Sequence, residues 1–192
     1  MISDMMAFYL LNKKLITEEE LPIYRYGLNA FINSLLQIIL LSFLGICYGL
    51  ILETVAFLLT FILLRRFTGG YHAKTKLKCL LCGMFMWFIA VSVSKVTLPV
   101  NADLFLNLVI VVFSVNVTFK YAPVEHRNKP LSKRVYKQSM KCSRVCMSSF
   151  AMIGVLMRFV DISISYTIVI TVLLVNILIL MGRRDCSEGH HR

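Results

Sequence analysis

The sequence predicts an all-α integral membrane protein with about six transmembrane helices, and two observations support that prediction. The 192-residue chain is 58% hydrophobic and only 16% charged, whereas a soluble domain usually has about 45–50% apolar and about 25% charged residues. The apolar residues also come in long blocks, which is typical of helices that cross a lipid bilayer. We therefore expect residues 1–192 to form a single polytopic membrane domain.

The N-terminal segment, residues 1–26, is predicted to be an amphipathic helix that lies on the membrane surface, followed by a break. Thr17 and Glu20 match a capping box. Pro22 follows closely, and proline is unfavourable inside a helix. The break is therefore expected between about Thr17 and Pro22.

The first long apolar block is predicted to be a hairpin of two spans. From Gly27 to Leu64 the single charged residue is Glu53. One helix of this length would reach about 57 Å, which is too long for a hydrocarbon core of about 30 Å. Two spans at about 27–45 and 49–66, turning near Gly45 and Gly49, fit better. Glu53 is then expected near the outer end of the second span, as a boundary residue that reaches the interface.

Four further spans are predicted at about 77–96, 104–119, 146–160 and 162–181. Asp103 is the expected N-terminal cap of the fourth span, and Arg158 interrupts the short fifth block. Residues 120–144 are polar and strongly basic, and they are predicted to form a cytoplasmic loop.

The distribution of basic residues supports this topology. Nineteen of the 21 lysines and arginines fall on one side of the predicted membrane and two on the other. The positive-inside rule then places both termini and residues 65–78 at the cytoplasmic face. We interpret the net charge of +11 as this topology signal, with attraction to anionic lipid or acidic peptide. Nucleic acid is not an expected partner, because no motif that reads or stacks bases is present.

The stretch from 65 to 82, between the second and third spans, carries the residues best suited to chemistry. Thr75 is the expected cap of the third span, which puts Cys79 in or near the first helical turn. A helix N-terminus and nearby lysines favour the thiolate form of a cysteine. His72 is a candidate base, provided that the chain folds back between the two, and Gly69 and Gly70 supply the backbone freedom for that fold.

Other interpretations of the cysteines remain open. Cys79 and Cys82 form a C-x-x-C pattern, which occurs in membrane thiol oxidoreductases and in half metal sites. Cys142 and Cys146 could complete a zinc site with His72. The compact ligand loops of zinc modules are absent from the sequence, so no metal or cofactor is predicted.

The sequence of this stretch resembles the signature of the accessory gene regulator protein B (AgrB) family. The similar residues are Arg65-Arg66-Phe67-Thr68-Gly69-Gly70-Tyr71-His72-Ala73, followed by Cys79. The segment from Tyr121-Ala122-Pro123 to Asn128-Lys129-Pro130-Leu131 is similar to the polar loop of that family, and the length and span count also agree. Members are multi-span bacterial membrane cysteine endopeptidases that process the precursor of a cyclic quorum-sensing peptide.

The resemblance implies roles for individual residues. Cys79 would be the nucleophile and His72 its base partner, with Arg65, Gly69 and Gly70 as supporting residues. The substrate would be a short peptide with an amphipathic leader, a pheromone core and an acidic tail. Cleavage at the cytoplasmic face would leave the core as a thioester on the enzyme, and an internal cysteine or serine would then close a thiolactone or lactone ring. A homodimer would also be consistent with the family.

The basic loop suits an acidic peptide tail, and four residues are candidates for this attraction: Arg66, Lys129, Lys133 and Arg134. Topology alone would explain the same charges equally well. No residue near the pair in sequence is an evident partner to orient His72, and the donors that would stabilise an oxyanion are not evident. A membrane thiol oxidoreductase and a non-enzymatic peptide transporter or scaffold are the competing functions.

Overall fold

The computed structural model describes residues 2–70, 75–95, 99–124 and 133–188, and its regular structure over these ranges is entirely α-helical. Seven helices lie within them: α1 (Ile2–Asn12), α2 (Leu21–Cys47), α3 (Ile51–Thr68), α4 (Lys76–Val93), α5 (Val100–Tyr121), α6 (Lys133–Met157) and α7 (Ile162–Glu188). The β-structure in the described ranges is one isolated bridge between Gly69 and Val124. The all-α prediction is confirmed.

Four of the described helical segments are long and apolar enough to cross a membrane: Leu21–Cys47, Ala102–Tyr121, Arg134–Met157 and Ile162–Arg184. The apolar part of α4, Leu77–Val93, is shorter. Helix α3 is charged at both ends, with Glu53 in its first turn and Arg65 and Arg66 in its last. The chain is therefore a helical protein with membrane-spanning segments, while the count of six spans and the cytoplasmic termini stay predictions.

Helix α7 lies at the centre of the bundle and packs against α3, α4, α5 and α6. Its buried face belongs to two apolar clusters. One joins Leu178 to Phe57 of α3 and Trp87 of α4. The other joins Val175 to Val117 of α5 and Met147 of α6. Because branched aliphatic side chains from one helix fill both clusters, α7 fixes the positions of its four neighbours.

A polar contact joins α3 and α4 beside α2. The indole Nε1 of Trp87 donates to Thr54 Oγ1 at 3.0 Å, and the Thr54 hydroxyl donates to the Leu50 carbonyl at 2.7 Å. Gly45 of α2 lies against the same hydroxyl, since a Cβ there would come within 2.5 Å of Thr54 Oγ1. Gly45 thus lets α2 approach α3 closely, and the chain turns only beyond Cys47, where Gly49 has a φ of +66°.

Glu53 lies where α3, α4 and α7 meet at one end of the bundle. Its carboxylate accepts from Lys95 Nζ at 3.0 Å and from Ser163 Oγ at 2.9 Å. Lys95 follows the end of α4, and Ser163 lies in the first turn of α7. Glu53 therefore joins three helices at the end opposite to residues 65–82, in addition to marking a helix boundary.

The predicted capping role of Asp103 is wrong. Helix α5 begins at Val100 after Pro99, so Asp103 lies one turn inside it. The side chain is buried and forms an ion pair with Arg158, and it accepts from Asn107 Nδ2 at 2.8 Å. The physical reason is charge: Asp103 pairs with the partly buried guanidinium of Arg158, which follows α6, and pairing offsets the cost of removing both charges from water.

The predicted loop over 120–144 is shorter in the structure, because α5 extends to Tyr121 and α6 begins at Lys133. The basic residues at the start of α6 belong to an amphipathic helix. Tyr136, Met140, Ser143 and Met147 recur every three to four residues and turn towards the bundle, as one helical face does. The amphipathic turns therefore extend the helix well before 146, where the fifth span was expected. Residues 125–132 lie outside the described ranges.

The break predicted between Thr17 and Pro22 is confirmed. Thr17 donates from its backbone N at 3.0 Å and from Oγ1 at 3.1 Å to the Glu20 carboxylate. Helix α2 then begins at Leu21 with Pro22 in its first turn, where a missing N–H costs nothing. Helix α1 packs against α2, and Asp4 forms an ion pair with Arg25.

Replacing Thr54 by valine is expected to destabilise the bundle by about 1–3 kcal/mol, because the buried Trp87 N–H would lose its acceptor while the shape of the side chain is kept. Thermal unfolding in detergent, followed by the fluorescence of the one tryptophan, measures this. Ser34→Ala is the matched control, since Ser34 is exposed and its hydroxyl donates within its own helix. Equal unfolding midpoints for Thr54→Val and the parent would contradict the assigned contact.

Candidate functional site

Cys79 lies in the first turn of α4, as the sequence predicts. Thr75 is the N-cap residue, and its hydroxyl accepts from the Lys78 backbone N at 3.3 Å. The Cys79 backbone N donates to the Thr75 carbonyl at 3.1 Å. Cys79 therefore lies at the N-terminal end of α4, where the unpaired N–H groups of a helix produce a positive electrostatic potential.

Gly69 and Gly70 end α3 in conformations that favour glycine, with φ of +65° and +108°. The Gly69 N–H donates to the Arg65 carbonyl at 3.3 Å, and the Val124 N–H donates to the Thr68 carbonyl at 2.9 Å. A Cβ on Gly69 would lie only 2.3 Å from the Val124 carbonyl oxygen. Both glycines thus adopt backbone conformations that other residues rarely adopt. These conformations allow the end of α3 to contact the segment that follows α5.

Gly70 lies at a second close contact, between the end of α3 and the backbone of α7. A Cβ there would lie 2.9 Å from the Leu178 carbonyl oxygen of α7 and 3.0 Å from Arg65 Nη1. The chain leaving α3 therefore passes directly over the backbone of the central helix. This contact fixes the position of Gly70, and residues 71–74 lie outside the described residues.

Arg65 and Arg66 occupy different environments. Arg65 is partly buried, and its Nη1 donates to the Gly69 carbonyl at 3.2 Å. Arg65 lies in the last turn of α3, before the segment that leads to Cys79 and Cys82 of α4. Arg66 is exposed and lies 6.0 Å from the centre of the Phe67 ring. Arg65 is therefore held against the end of α3, while Arg66 faces outward.

His72 and Lys129 lie outside the described residues, so the pairing of His72 with Cys79 stays a prediction. The other sequence candidates are described in part. Lys133 begins α6, and Arg134 follows it as an exposed residue. The roles assigned to these residues are likewise still predictions.

Cys47 is an exposed free thiol at the end of α2, and three further cysteines lie on α4 and α6. Cys82 is one turn beyond Cys79 on α4 and packs against the apolar cluster of Phe57 and Trp87. Cys142 and Cys146 lie on α6, and each of these cysteines is a free thiol. Over the described part of the chain, no group of three or more His, Cys, Asp and Glu side chains is arranged to hold a metal ion.

The structure adds a basic and aromatic cluster that the sequence analysis missed, where α5, α6 and α7 meet near Val124. Arg144 Nη2 donates to the Phe119 carbonyl at 3.0 Å, and its guanidinium lies 5.1 Å from the Phe119 ring centre. Arg183 and Lys120 lie 4.3 Å and 5.3 Å from the ring centre of Tyr121. Aromatic residues beside lysine at the end of an apolar block are the sequence signal for such a cluster.

Together these features define a class of protein: a helical membrane protein with a cysteine in the first turn of one helix, and with an arginine and two glycines of positive φ at the end of the preceding helix. The family model described as Accessory gene regulator B matches residues 3–181. The chain belongs to the AgrB family, and the resemblance noted in the sequence is confirmed.

Individual relatives are similar over most of the chain. An AgrB-like protein of Clostridium perfringens (strain 13 / Type A) is 33% identical over 127 residues, which cover 64% of this chain and 59% of that protein. An AgrB-like protein of Listeria monocytogenes (strain HCC23) is 27% identical over 73% of this chain and 68% of the relative. The accessory gene regulator protein B of Staphylococcus aureus (strain MRSA252) is 25% identical over 70% of this chain and 71% of the relative. The chain thus aligns with less than two thirds of the Clostridium protein. No solved structure matches it.

Gly69→Ala is expected to destabilise the protein, because alanine at this positive φ costs about 1–3 kcal/mol and its Cβ would collide with the Val124 carbonyl. A lower thermal midpoint in detergent would show the loss. Gly27→Ala is the control: Gly27 lies in α2 with no atom within 4 Å of an added Cβ, so alanine there is expected to be neutral or stabilising. Equal midpoints for the two variants would contradict the assigned strain.

Proposed function

We propose that the protein is a membrane cysteine endopeptidase that removes the acidic C-terminal tail from a short autoinducing-peptide precursor. The observation that carries this proposal is the position of Cys79 in the first turn of α4, in a chain of the AgrB family. A helix N-terminus stabilises negative charge on sulfur. A membrane-surface site also suits a precursor whose amphipathic leader binds the bilayer.

The proposed reaction begins when His72 takes the proton of the Cys79 thiol. The thiolate attacks the carbonyl carbon that joins the pheromone core to the tail, and a C–S bond forms. The C–N bond then breaks, and the leaving amine of the tail takes the proton from the imidazolium of His72. The core remains bound to Cys79 as a thioester. An internal cysteine or serine of the peptide then displaces Cys79, which closes a thiolactone or lactone ring and returns the enzyme thiol.

Basic residues on the proposed cytoplasmic face suit the acidic tail. Arg66 is exposed at the end of α3 and Arg134 at the start of α6, and Lys129 and Lys133 lie in the same region of the sequence. Opposite charges of this kind raise the encounter rate and position the ligand, and salt weakens their effect. The tail is therefore proposed to lie across the polar segment between α5 and α6, close to the end of α3.

Cys79→Ala is expected to abolish cleavage of the precursor, and His72→Ala is expected to lower the rate about 10²–10⁴-fold, as loss of a general base does. Cys82→Ala is the matched control, because Cys82 is one turn away on the same helix and packs in the apolar cluster. It is expected to keep most of the activity. Cleavage in membranes and mass spectrometry of a peptide thioester on Cys79 are the measurements.

Two results would overturn this proposal. If Cys79→Ala still cleaves, the nucleophile is another residue. If Cys79→Ala and Cys82→Ala are both inactive and the parent shows a reversible disulfide between the two cysteines, the thiol oxidoreductase gains support instead.

The double variant Lys133→Gln/Arg134→Gln is expected to raise KM roughly fivefold at low salt, from two exposed ion pairs of about 0.2–1 kcal/mol each. Its KM should also depend less on salt than that of the parent, while kcat stays close to the parent value. Lys13→Gln/Lys14→Gln is the control, because it removes the same charge after α1. Equal KM values and salt dependence in the two double variants would show that the charges at α6 serve topology alone.

A further inference from the structure

The side chain of Gln37 on α2 lies directly against Gly83 of α4. A Cβ built on Gly83 would lie only 1.6 Å from Gln37 Nε2 and 2.6 Å from its Cδ. The carboxamide therefore occupies the space that any larger residue at 83 would fill. Only glycine at this position allows the amide to reach the backbone of α4.

This contact brings an amide close to the candidate nucleophile. Gly83 is four residues after Cys79, and Cβ positions four residues apart on a helix lie about 5–6 Å from each other on the same face. Cys79 is partly exposed and Gly83 is buried, so this face runs from the surface into the bundle. An acyl group on the Cys79 sulfur would start from this same face, and its oxygen would need to come within about 2.9 Å of Gln37 Nε2 to accept a hydrogen bond.

The Gln37 amide is also available as a donor. Among the residues that the structure describes, none forms a hydrogen bond with the Gln37 side chain, which is half-buried. A polar side chain within an apolar spanning helix is rare and is a candidate functional residue. Gln37, Leu41 and Gly45 are spaced by four residues and lie on one face of α2. Leu41 on this face is fully buried, and Gly45 contacts Thr54.

We propose that the Gln37 carboxamide donates a hydrogen bond to the oxyanion that forms when Cys79 attacks the substrate carbonyl. This inference rests on the proposed peptidase function and names a further catalytic residue of the same site. As the C–S bond forms, the electron pair of the carbonyl double bond moves onto oxygen, and the N–H groups of Gln37 stabilise that charge. When the C–N bond breaks, the electron pair returns and the carbonyl is restored. Gln37 transfers no proton at any step.

Gly83 has a positioning role in this arrangement. Alanine at 83 would collide with the amide and move it away from α4, while Gln37 itself would be unchanged in chemistry. Gly83→Ala and Gln37→Met are therefore both expected to weaken stabilisation of the oxyanion. Gly83→Ala does so by moving the donor, and Gln37→Met does so by removing it.

The experiment compares the parent with Gln37→Met, Gly83→Ala and Asn116→Ala in membranes. Asn116 is the control, since its amide is exposed on α5 and already donates to the Val112 carbonyl at 2.7 Å. Two rates are measured for each protein: cleavage of the precursor peptide under saturating substrate, and alkylation of Cys79 by iodoacetamide, followed by mass spectrometry. Alkylation of a thiolate forms no oxyanion. Its rate therefore measures the reactivity of the Cys79 thiol independently of any oxyanion stabilisation by Gln37.

We expect Gln37→Met to lower kcat about 10²–10³-fold, as removal of one oxyanion donor does, with little change in KM. Gly83→Ala should also lower kcat, and Asn116→Ala should match the parent. The alkylation rate of Cys79 should be the same in all four proteins. This pattern supports the inference, because a purely structural role would change alkylation and KM as well.

Two results would overturn the inference. Cleavage by Gln37→Met within about threefold of the parent rules out the donor role, and an equal fall in cleavage and alkylation assigns Gln37 to structural support of α4. Both results require a parent that cleaves. A parent that does not cleave the precursor contradicts the proposed function itself, so the two failures are distinct.

Discussion

The packing of α7 inside the bundle is the constraint on which the other described helices depend. Its apolar face supplies both core clusters, and its polar face carries a buried hydrogen bond between Asn176 Oδ1 and Thr118 Oγ1 of α5, at 3.0 Å. The Asn176 amide also donates to the Val172 carbonyl at 2.8 Å. Away from water, a satisfied amide of this kind fixes one register between two helices. Further along α7, the Leu178 carbonyl limits residue 70 to glycine, so the same helix that organises the core also positions the end of the chain segment that leaves α3.

Much of this arrangement can be read from the sequence, because membrane helices follow apolar blocks and helix ends follow a small set of residues. The Thr75 cap, the break before Pro22 and the glycine pair after α3 are local features, each decided by one or two residues. The motif around Gly69, Gly70 and Cys79 was also sufficient to indicate the family. Local chemistry of this kind does not depend on knowing which helices are neighbours.

The features that sequence reasoning missed are those that depend on contacts between helices. Asp103 looked like a cap because the partner that buries it, Arg158, is distant in sequence. The early start of α6 was not predicted because the many basic residues at its start suggested a polar loop. Tyr136 and Met140 nevertheless lie on the helical face that packs against the bundle. The contact of Gln37 with Gly83 requires the knowledge that α2 and α4 are adjacent. A glutamine at four-residue spacing from the buried Leu41 is the signal that could have pointed to it.

The buried pair of Asp103 and Arg158 has a consequence for how the protein enters the bilayer. A lone charged residue costs about 2.5–3.5 kcal/mol at the centre of an inserting helix, and less near the helix ends, where a long side chain can reach the interface. Asp103 lies near the start of α5, and Arg158 directly follows α6, so each helix alone would carry an uncompensated charge. When the two insert together, the opposite charges neutralise each other. Helices α5 and α6 therefore complete each other electrostatically only when both are in place, and removal of either charge would leave the other without its partner.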